Sequence, residues 1–124
     1  MKRLLLVDDS PAVRTIFKLY LSVGPYKLLE AEDAERALKI ARLQPVDLIL
    51  ADFSMPGTSG LELFEKIRAA GNTTTALVLI TASQDPQITT KARTAGADDV
   101  LMKPITPDAL LSAVARALAL HHPA

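Results

Sequence analysis

The chain has 124 residues, of which 49% are apolar and 23% are charged. That length predicts one domain with a hydrophobic core large enough to fold without disulfide bonds or a structural metal. The sequence has no cysteine, which excludes disulfides, thiolate catalysis and cysteine-bound zinc or iron–sulfur clusters. The 14 basic and 14 acidic residues balance, so no excess of positive charge predicts direct binding to nucleic acid.

The apolar run near the start of the chain is short. It follows two basic residues, Lys2 and Arg3, and it stops at Asp8. A run of this length is too short for a signal peptide or a membrane span. We therefore expect no membrane attachment and a cytoplasmic location.

Short apolar runs alternate with segments of helical spacing along the chain. Continuous apolar runs, as opposed to alternating ones, are typical of strands that are buried on both faces. The predicted strands, of which the second is the weakest, are Leu4–Val7, Lys27–Ala31, Leu48–Ala51, Ala76–Ile80 and Val100–Met102.

Each predicted strand is followed by a helix with its own start signal. The signals are N-cap residues, three of them before a proline and one in a capping box. They lie at Ser10-Pro11, Asp33, Ser59 with Glu62, Asp85-Pro86 and Thr106-Pro107. The stop signals of the first four helices are Gly24-Pro25, Pro45, Gly71-Asn72 and Gly96.

The alternation of strand and helix predicts an α/β fold. Right-handed crossovers between parallel strands favour a doubly wound, five-stranded parallel sheet with helices on both faces. We expect residues 1–120 to form this domain and residues 121–124 to form a frayed C-terminal tail.

Polar side chains follow four of the five predicted strands. Asp8 and Asp9 follow the first strand, Asp52 the third, Thr81 the fourth and Lys103 the fifth. Ligands bind at the carboxyl ends of the strands in an open parallel sheet, so these side chains should meet at one edge. Each residue alone has an ordinary explanation as a cap, a turn residue or a solvated lysine. Their convergence favours a functional site.

The chemistry of this set favours a phosphoryl group. Neighbouring carboxylates repel each other, and a divalent cation relieves that repulsion. Mg²⁺ prefers oxygen ligands, keeps several waters and typically binds one or two carboxylates together with phosphate oxygens. Lys103 and Thr81 add a positive charge and a hydroxyl, which suit phosphoryl oxygens. Aspartate is a known covalent acceptor of phosphoryl groups, and Asp52 ends the central strand, so Asp52 is the predicted nucleophile.

The motifs resemble those of the receiver domain of two-component response regulators, most closely the stand-alone chemotaxis type. The resemblance covers residues 4 to about 118. The motifs that carry it are Leu4–Asp9, Asp52 with Met55-Pro56-Gly57, Thr81-Ala82 and Lys103-Pro104. The resemblance implies a flavodoxin-like sheet of order 2-1-3-4-5. It also implies a phosphoacceptor that takes its phosphoryl group from a histidine kinase or a histidine phosphotransfer protein and signals by protein–protein contact.

The resemblance also implies a role for each site residue. Thr81 and Lys103 would hold the phosphoryl oxygens, and the domain would catalyse its own phosphorylation and dephosphorylation. The peptide bond between Lys103 and Pro104 is cis in many relatives. The implied Mg²⁺ ligands are Asp8 through a water, Asp9, Asp52 and the main-chain carbonyl of Ser54.

Three positions are predicted to tune or switch the domain, namely Ser54, Ser83 and Val100. Many relatives carry an aromatic residue three positions before the lysine, where this chain has Val100, and another where it has Ile105. Valine cannot report phosphorylation by an aromatic rotation. Ser54 and Ser83 occupy the positions that tune the lifetime of the phosphorylated state in the family. Val100 therefore supports an alternative hypothesis, in which the chain is a non-switching, receiver-like binding module.

Two surfaces are candidates for partners. The last helix has one apolar stripe expected to pack on the sheet (Leu111, Val114, Leu118) and an adjoining one (Leu110, Ala113, Ala117, Leu120). A helix that is apolar on most sides usually has a further partner, which predicts a homodimer or a downstream target, although alanines are also good surface helix formers. The resemblance implies that the second candidate surface docks the histidine-bearing partner at Pro11, Arg14, Thr15 and Lys18, beside Pro104 and Ile105. A solvated helix face would also explain Arg14 and Lys18.

Two enzyme or cofactor functions fit this sequence less well. An aspartate-dependent phosphatase needs a second acidic residue two positions after the nucleophile, where this chain has Ser54. A flavodoxin needs a hydroxyl-rich phosphate loop after the first strand. Asp8 and Asp9 occupy that position and would repel a phosphate unless a metal intervened.

Overall fold

The computed structural model describes residues 1–121 and shows five strands alternating with five helices. The strands are β1 (Lys2–Val7), β2 (Tyr26–Ala31), β3 (Leu48–Asp52), β4 (Ala76–Thr81) and β5 (Asp99–Met102). The helices are α1 (Pro11–Leu21), α2 (Ala34–Leu43), α3 (Gly60–Ala69), α4 (Pro86–Thr94) and α5 (Pro107–His121). All five predicted strands are confirmed.

The strands form one parallel sheet in the order β2-β1-β3-β4-β5, which confirms the doubly wound, flavodoxin-like prediction. Two apolar clusters cover its faces, one with α2, α3 and α4 and the other with α1 and α5. Side chains of β1 alternate between them: Leu5 and Val7 join the first cluster, and Leu4 and Leu6 join the second. This alternation explains the continuous apolar runs, because both faces of each central strand are covered.

The helix boundaries follow the predicted signals. Ser10, Asp33 and Asp85 each accept a hydrogen bond from a main-chain N–H of the first turn. Ser59 and Glu62 form the capping box, and Thr106 Oγ1 accepts from the N–H of Ala109. At the other ends of two helices, Gly71 and Gly96 have φ angles of 92° and 101°, a conformation that favours glycine.

The end of α5 differs from the prediction. The sequence predicts a frayed tail from His121 onward, but His121 is the last residue of the helix, and its Nε2 lies 2.9 Å from Asp98 Oδ2. The hydrogen bond to Asp98 gives the last turn a partner that sequence spacing does not reveal. The remaining residues of the predicted tail, 122–124, lie outside the described part of the chain.

The adjoining apolar stripe of α5 is also different from the prediction. Leu110, Ala113 and Ala117 are buried, and Leu111 is only half-buried. The reason is that α5 packs against both β4 and α1, so two stripes of the helix are covered by the chain itself. Of the predicted partner stripe only Leu120 is exposed, at 68%. Within residues 1–121 no helix is long and apolar enough to cross a membrane.

Candidate functional site

Asp52 lies at the carboxyl end of the central strand and is 7% exposed. One carboxylate oxygen, Oδ1, accepts a hydrogen bond from the N–H of Ser54 at 3.0 Å. The other, Oδ2, lies 2.7 Å from Nζ of Lys103, which comes from the loop after β5. The sheet thus brings together the predicted nucleophile and the predicted lysine, which are 51 residues apart in sequence.

Asp8 lies beside Asp52 and is 4% exposed. Its Oδ1 accepts a hydrogen bond from the N–H of Ser10 at 2.8 Å. Burial raises the pKa of the Asp8 carboxyl to about 6, and the adjacent Asp52 adds to the rise, whereas the Ser10 hydrogen bond and Lys103 oppose it. Two buried carboxyl groups side by side form an electrostatically unfavourable pair that a cation would stabilise.

Asp9 differs from the other two carboxylates because it is exposed. Among residues 1–121, no group of three or more histidine, cysteine, aspartate or glutamate side chains stands ready to hold a metal ion. The donor chemistry nevertheless fits Mg²⁺, since Asp8 and Asp52 offer hard carboxylate oxygens and Mg²⁺ commonly takes one or two carboxylates plus waters. The structure therefore brings Asp8 and Asp52 together and leaves Asp9 at the rim.

Thr81 ends β4 at the same edge of the sheet and is buried. Its Oγ1 accepts a hydrogen bond from the N–H of Ser83 at 3.0 Å, which fixes the loop that leads towards α4. The main-chain carbonyl of Thr81 accepts from the N–H of Lys103 at 2.8 Å, so β4 also holds the loop that carries the lysine. The peptide bond between Lys103 and Pro104 is cis, as the resemblance implies.

The predicted tuning and switch positions are also placed. Ser54 is exposed and Ser83 is half-buried, both in loops at the carboxyl ends of strands. Val100 lies in β5 opposite Leu79 and is half-buried against the cluster that α2, α3 and α4 cover. The side chain at this position is therefore a short, branched one held at the edge of the core.

Gly60, which is not among the predicted site residues, packs directly on the main chain of Asp52. A Cβ atom at Gly60 would lie 2.5 Å from the carbonyl oxygen of Asp52 and 2.8 Å from Cδ1 of Leu79. The N–H of Gly60 donates to the carbonyl of Phe53 at 3.2 Å. The start of α3 thus sits against the residue that carries the nucleophile, and only glycine fits there. The sequence signal for this close approach was a glycine directly after the N-cap serine, Ser59.

The face of α1 beside Pro104 and Ile105 is apolar. The α1 residues that line this groove are Val13, Ile16, Phe17 and Tyr20. Arg14 and Lys18, which were expected there, bond instead to Glu30 of β2. The helix turns its basic residues towards β2 because the carboxylate of Glu30 offers both of them a partner at 3.0 Å.

Comparison with known proteins identifies the family. The sequence profile of the response regulator receiver domain matches residues 4–115. The chain belongs to the response regulator receiver domain family. Its geometry agrees with that assignment, since the paired carboxylates, the threonine and the lysine of the resemblance all lie at one edge of the sheet.

Relatives of this receiver domain extend across several kinds of protein. It is 34% identical over 114 residues to a cyclic di-GMP phosphodiesterase of Thermotoga maritima, covering 92% of this chain and 30% of that protein. It is 36% identical over 115 residues to the transcriptional regulatory protein AruR of Pseudomonas aeruginosa, covering 89% of this chain and 46% of AruR. The chain thus spans less than half of the length of these two relatives.

A solved structure gives the same fold over nearly the whole chain. The chemotaxis protein CheY4 of Vibrio cholerae superposes with a TM-score of 0.88 at 29% identity, covering 94% of this chain and 98% of that structure. This receiver domain is therefore a phosphoacceptor domain of two-component signalling with a CheY-like fold.

Proposed function

We propose that Asp52 is the phosphoacceptor and that the phosphoryl donor is a phosphohistidine of a histidine kinase or a histidine phosphotransfer protein. The observation that carries this is the contact of Asp52 with Lys103 beside the buried Asp8. An Asp52 oxygen would bond to phosphorus as the phosphorus–nitrogen bond to histidine breaks. Water would later hydrolyse the acyl phosphate, so the domain would catalyse both its own phosphorylation and its own dephosphorylation.

Mg²⁺ is the metal in this proposal, and its ligands would be Asp9, Asp52 and the main-chain carbonyl of Ser54, with Asp8 acting through a water. When bound, Mg²⁺ would supply positive charge that offsets the charge of the carboxylates and of the phosphoryl oxygens. Lys103 would move from Asp52 to a phosphoryl oxygen, and the Thr81 hydroxyl would donate to another. The exposed Asp9 lies at the rim of the site, where a hydrated ion would enter.

The groove between α1 and the loop after β5 supports the choice of donor. Its lining by Val13, Ile16, Phe17 and Ile105 is apolar, and it begins at Lys103 itself. An apolar groove that adjoins the phosphorylation site fits the apolar face of a helical, histidine-bearing partner.

We also propose that the protein acts in the cytoplasm. The receiver domain in this proposal extends to the end of α5.

Intact mass spectrometry after incubation with Mg²⁺ and acetyl phosphate tests the proposal. We expect the gain of one phosphoryl group, which depends on Mg²⁺ and is absent from the Asp52→Asn variant. Asp99→Asn is a matched control, because Asp99 also lies in the sheet but pairs with Arg116 on α5. Labelling of the Asp52→Asn variant at the wild-type rate would contradict the assignment of the nucleophile.

The second candidate function is a receiver-like module that binds a partner without switching. The half-buried Val100 favours this second function. A short aliphatic side chain cannot rotate between an exposed and a buried position as an aromatic side chain does. Comparing amide chemical shifts of β5 and α5 before and after phosphorylation separates the two functions. Shifts confined to the loops around Asp52 would favour the non-switching module, whereas shifts that reach β5 and α5 would favour a switch.

Homodimerisation through α5, predicted from its apolar stripe, has little exposed surface to support it. The stripe that suggested it is buried by β4 and α1, and only Leu120 remains exposed from it. We also propose that the domain signals by contact with a downstream protein.

A further inference from the structure

Arg14 makes two contacts that tie the site loop to the neighbouring strand. Its Nε donates to Oε1 of Glu30 on β2 at 3.0 Å, and its Nη1 donates to the main-chain carbonyl oxygen of Asp8. The Arg14 side chain is only 14% exposed. A guanidinium presents several donors in a fixed plane, so one side chain can hold both acceptors at once.

The carbonyl oxygen of Asp8 belongs to the peptide group that joins Asp8 to Asp9. The N–H of Asp8 donates to the carbonyl of Ala31 on β2 at 3.2 Å, so the main chain on the other side of Asp8 is also fixed. Asp9 itself is exposed. The peptide group that Arg14 holds therefore positions the Cα atom of Asp9, from which its carboxylate extends.

We propose that Arg14 is a positioning residue for Mg²⁺, which acts by holding the Asp8–Asp9 peptide group while Glu30 anchors its guanidinium. This inference rests on the proposed phosphoacceptor function. Groups that orient metal ligands without touching the metal commonly change its affinity by about 10- to 100-fold when removed. Arg14 is such a group, because it bonds to the peptide group between Asp8 and Asp9.

Glu30 is suited to anchoring Arg14. The carboxylate bonds to Lys18 through Oε2 at 3.0 Å and to Arg14 through Oε1. These two hydrogen bonds, that of Lys18 first and that of Arg14 second, lower the pKa of Glu30, so it stays ionised at neutral pH. The two cations lie four residues apart on one face of α1, but only Arg14 reaches the Asp8 carbonyl.

Lys18 provides a matched control for the test. It contributes the same charge to the same glutamate, from the same helix, without contacting Asp8. Removing Lys18 therefore reproduces the electrostatic change at Glu30 and leaves the site loop held. A loss of Mg²⁺ affinity found for Arg14→Met and not for Lys18→Met is the effect expected from the contact with the Asp8 carbonyl.

The experiment measures the Kd of Mg²⁺ by isothermal titration calorimetry on the wild type, Arg14→Met and Lys18→Met. We expect the Kd to rise about tenfold in Arg14→Met and to stay within about twofold of the wild type in Lys18→Met. Amide spectra should show the Asp9 resonance displaced in Arg14→Met only. A purely structural role would lower the Tm of the variant and leave the Kd of the folded protein unchanged.

Arg14→Lys keeps the test decisive if Arg14→Met does not fold, because it retains the charge and the aliphatic stem. A lysine cannot donate to Glu30 and to the Asp8 carbonyl in the same planar geometry, so we expect an intermediate Kd. A wild-type Kd in both Arg14 variants would overturn the inference. If the wild type itself neither binds Mg²⁺ nor is phosphorylated, the proposed function fails first, and the two failures are distinguishable.

Discussion

The ionised form of the buried Asp8 carboxyl lowers the free energy of unfolding, and replacing Asp8 should reveal by how much. Its folded-state pKa of about 6 lies above the ordinary 3.8, so ionisation of the folded protein is penalised as pH rises through this range. The contribution of Asp8 to the free energy of unfolding is thus full below about pH 4 and lost above about pH 6. Asp8→Asn should stabilise the protein by on the order of 2 kcal/mol at mildly alkaline pH.

Urea denaturation in the presence of a chelator, repeated across pH, measures this gain. The difference between Asp8→Asn and the wild type should grow as pH rises from about 4 to about 6. Saturating Mg²⁺ should shrink the difference, because the cation stabilises the paired carboxylates of the wild type. A pH-independent difference would show that burial and the neighbour Asp52 do not shift the titration of Asp8.

Gly60 sets how closely α3 can approach the nucleophile. Gly60→Ala would place a Cβ 2.5 Å from the Asp52 carbonyl oxygen, so the start of α3 must move away. Overpacking of this kind costs about 1–3 kcal/mol. We expect this loss of unfolding free energy together with slower labelling of Asp52 by acetyl phosphate, measured by intact mass.

Gly71→Ala is the control for that variant. Gly71 has a φ of 92° but open space around its Cβ position, so alanine there strains the main chain without a contact. It should lower stability by about 1 kcal/mol and leave labelling of Asp52 at the wild-type rate. Equal labelling of both variants would show that the position of α3 does not matter to Asp52.

The sequence could predict some site residues and not others for a physical reason. Asp52, Thr81 and Lys103 were found because strand ends meet at one edge of a parallel sheet whatever the residues are. The contact of Arg14 with a main-chain carbonyl has no signature in residue spacing. The exposure of Asp9 depends on the conformation of the loop after β1, which residue spacing does not reveal either.

At the scale of elements, strands were predictable from continuous apolar runs and helices from their capping residues. β1 nevertheless starts at Lys2, two residues before the apolar run, because Lys2 and Arg3 pair with Tyr26 and Lys27 of β2. Main-chain pairing extends a strand through polar residues that a search for apolar runs omits. The burial of two stripes of α5 was not predictable, because it depends on α1 lying beside the helix.

The last turn of α5 is tied to the opposite edge of the sheet from the site. His121 bonds to Asp98 Oδ2, which also accepts from the N–H of Leu77 at 2.8 Å and lies 3.5 Å from Arg68. His121→Ala removes one hydrogen bond, so we expect a loss of about 1 kcal/mol in unfolding free energy. Hydrogen exchange should accelerate in the last turn of α5.

Leu120→Ala is the comparison for His121→Ala. Leu120 lies in the same turn and is 68% exposed, so its truncation should leave both unfolding and exchange close to those of the wild type. If the two variants behaved alike, the contact between His121 and Asp98 would contribute nothing to the end of the helix.

At the scale of the whole molecule, the sheet connects the two apolar clusters. Every residue of β3 and β4 is buried, and consecutive side chains of β1 and β3 enter opposite clusters. Neither face can lose its helices without exposing strands that the other face also needs. We therefore expect one cooperative unfolding transition, in which the site at the strand ends is lost together with the sheet.

That coupling makes metal binding visible in global stability. An ion that binds only the folded state stabilises it by about 2.7 kcal/mol at 100 times its Kd. For a domain of this size, Mg²⁺ at that level should raise the Tm by roughly 10 °C in a scanning calorimeter. Potassium at equal ionic strength should not raise the Tm, because screening alone does not relieve the repulsion between the buried Asp8 and Asp52 carboxylates. The rise should largely disappear in Asp52→Asn; if it persisted there, Mg²⁺ would bind away from the strand ends.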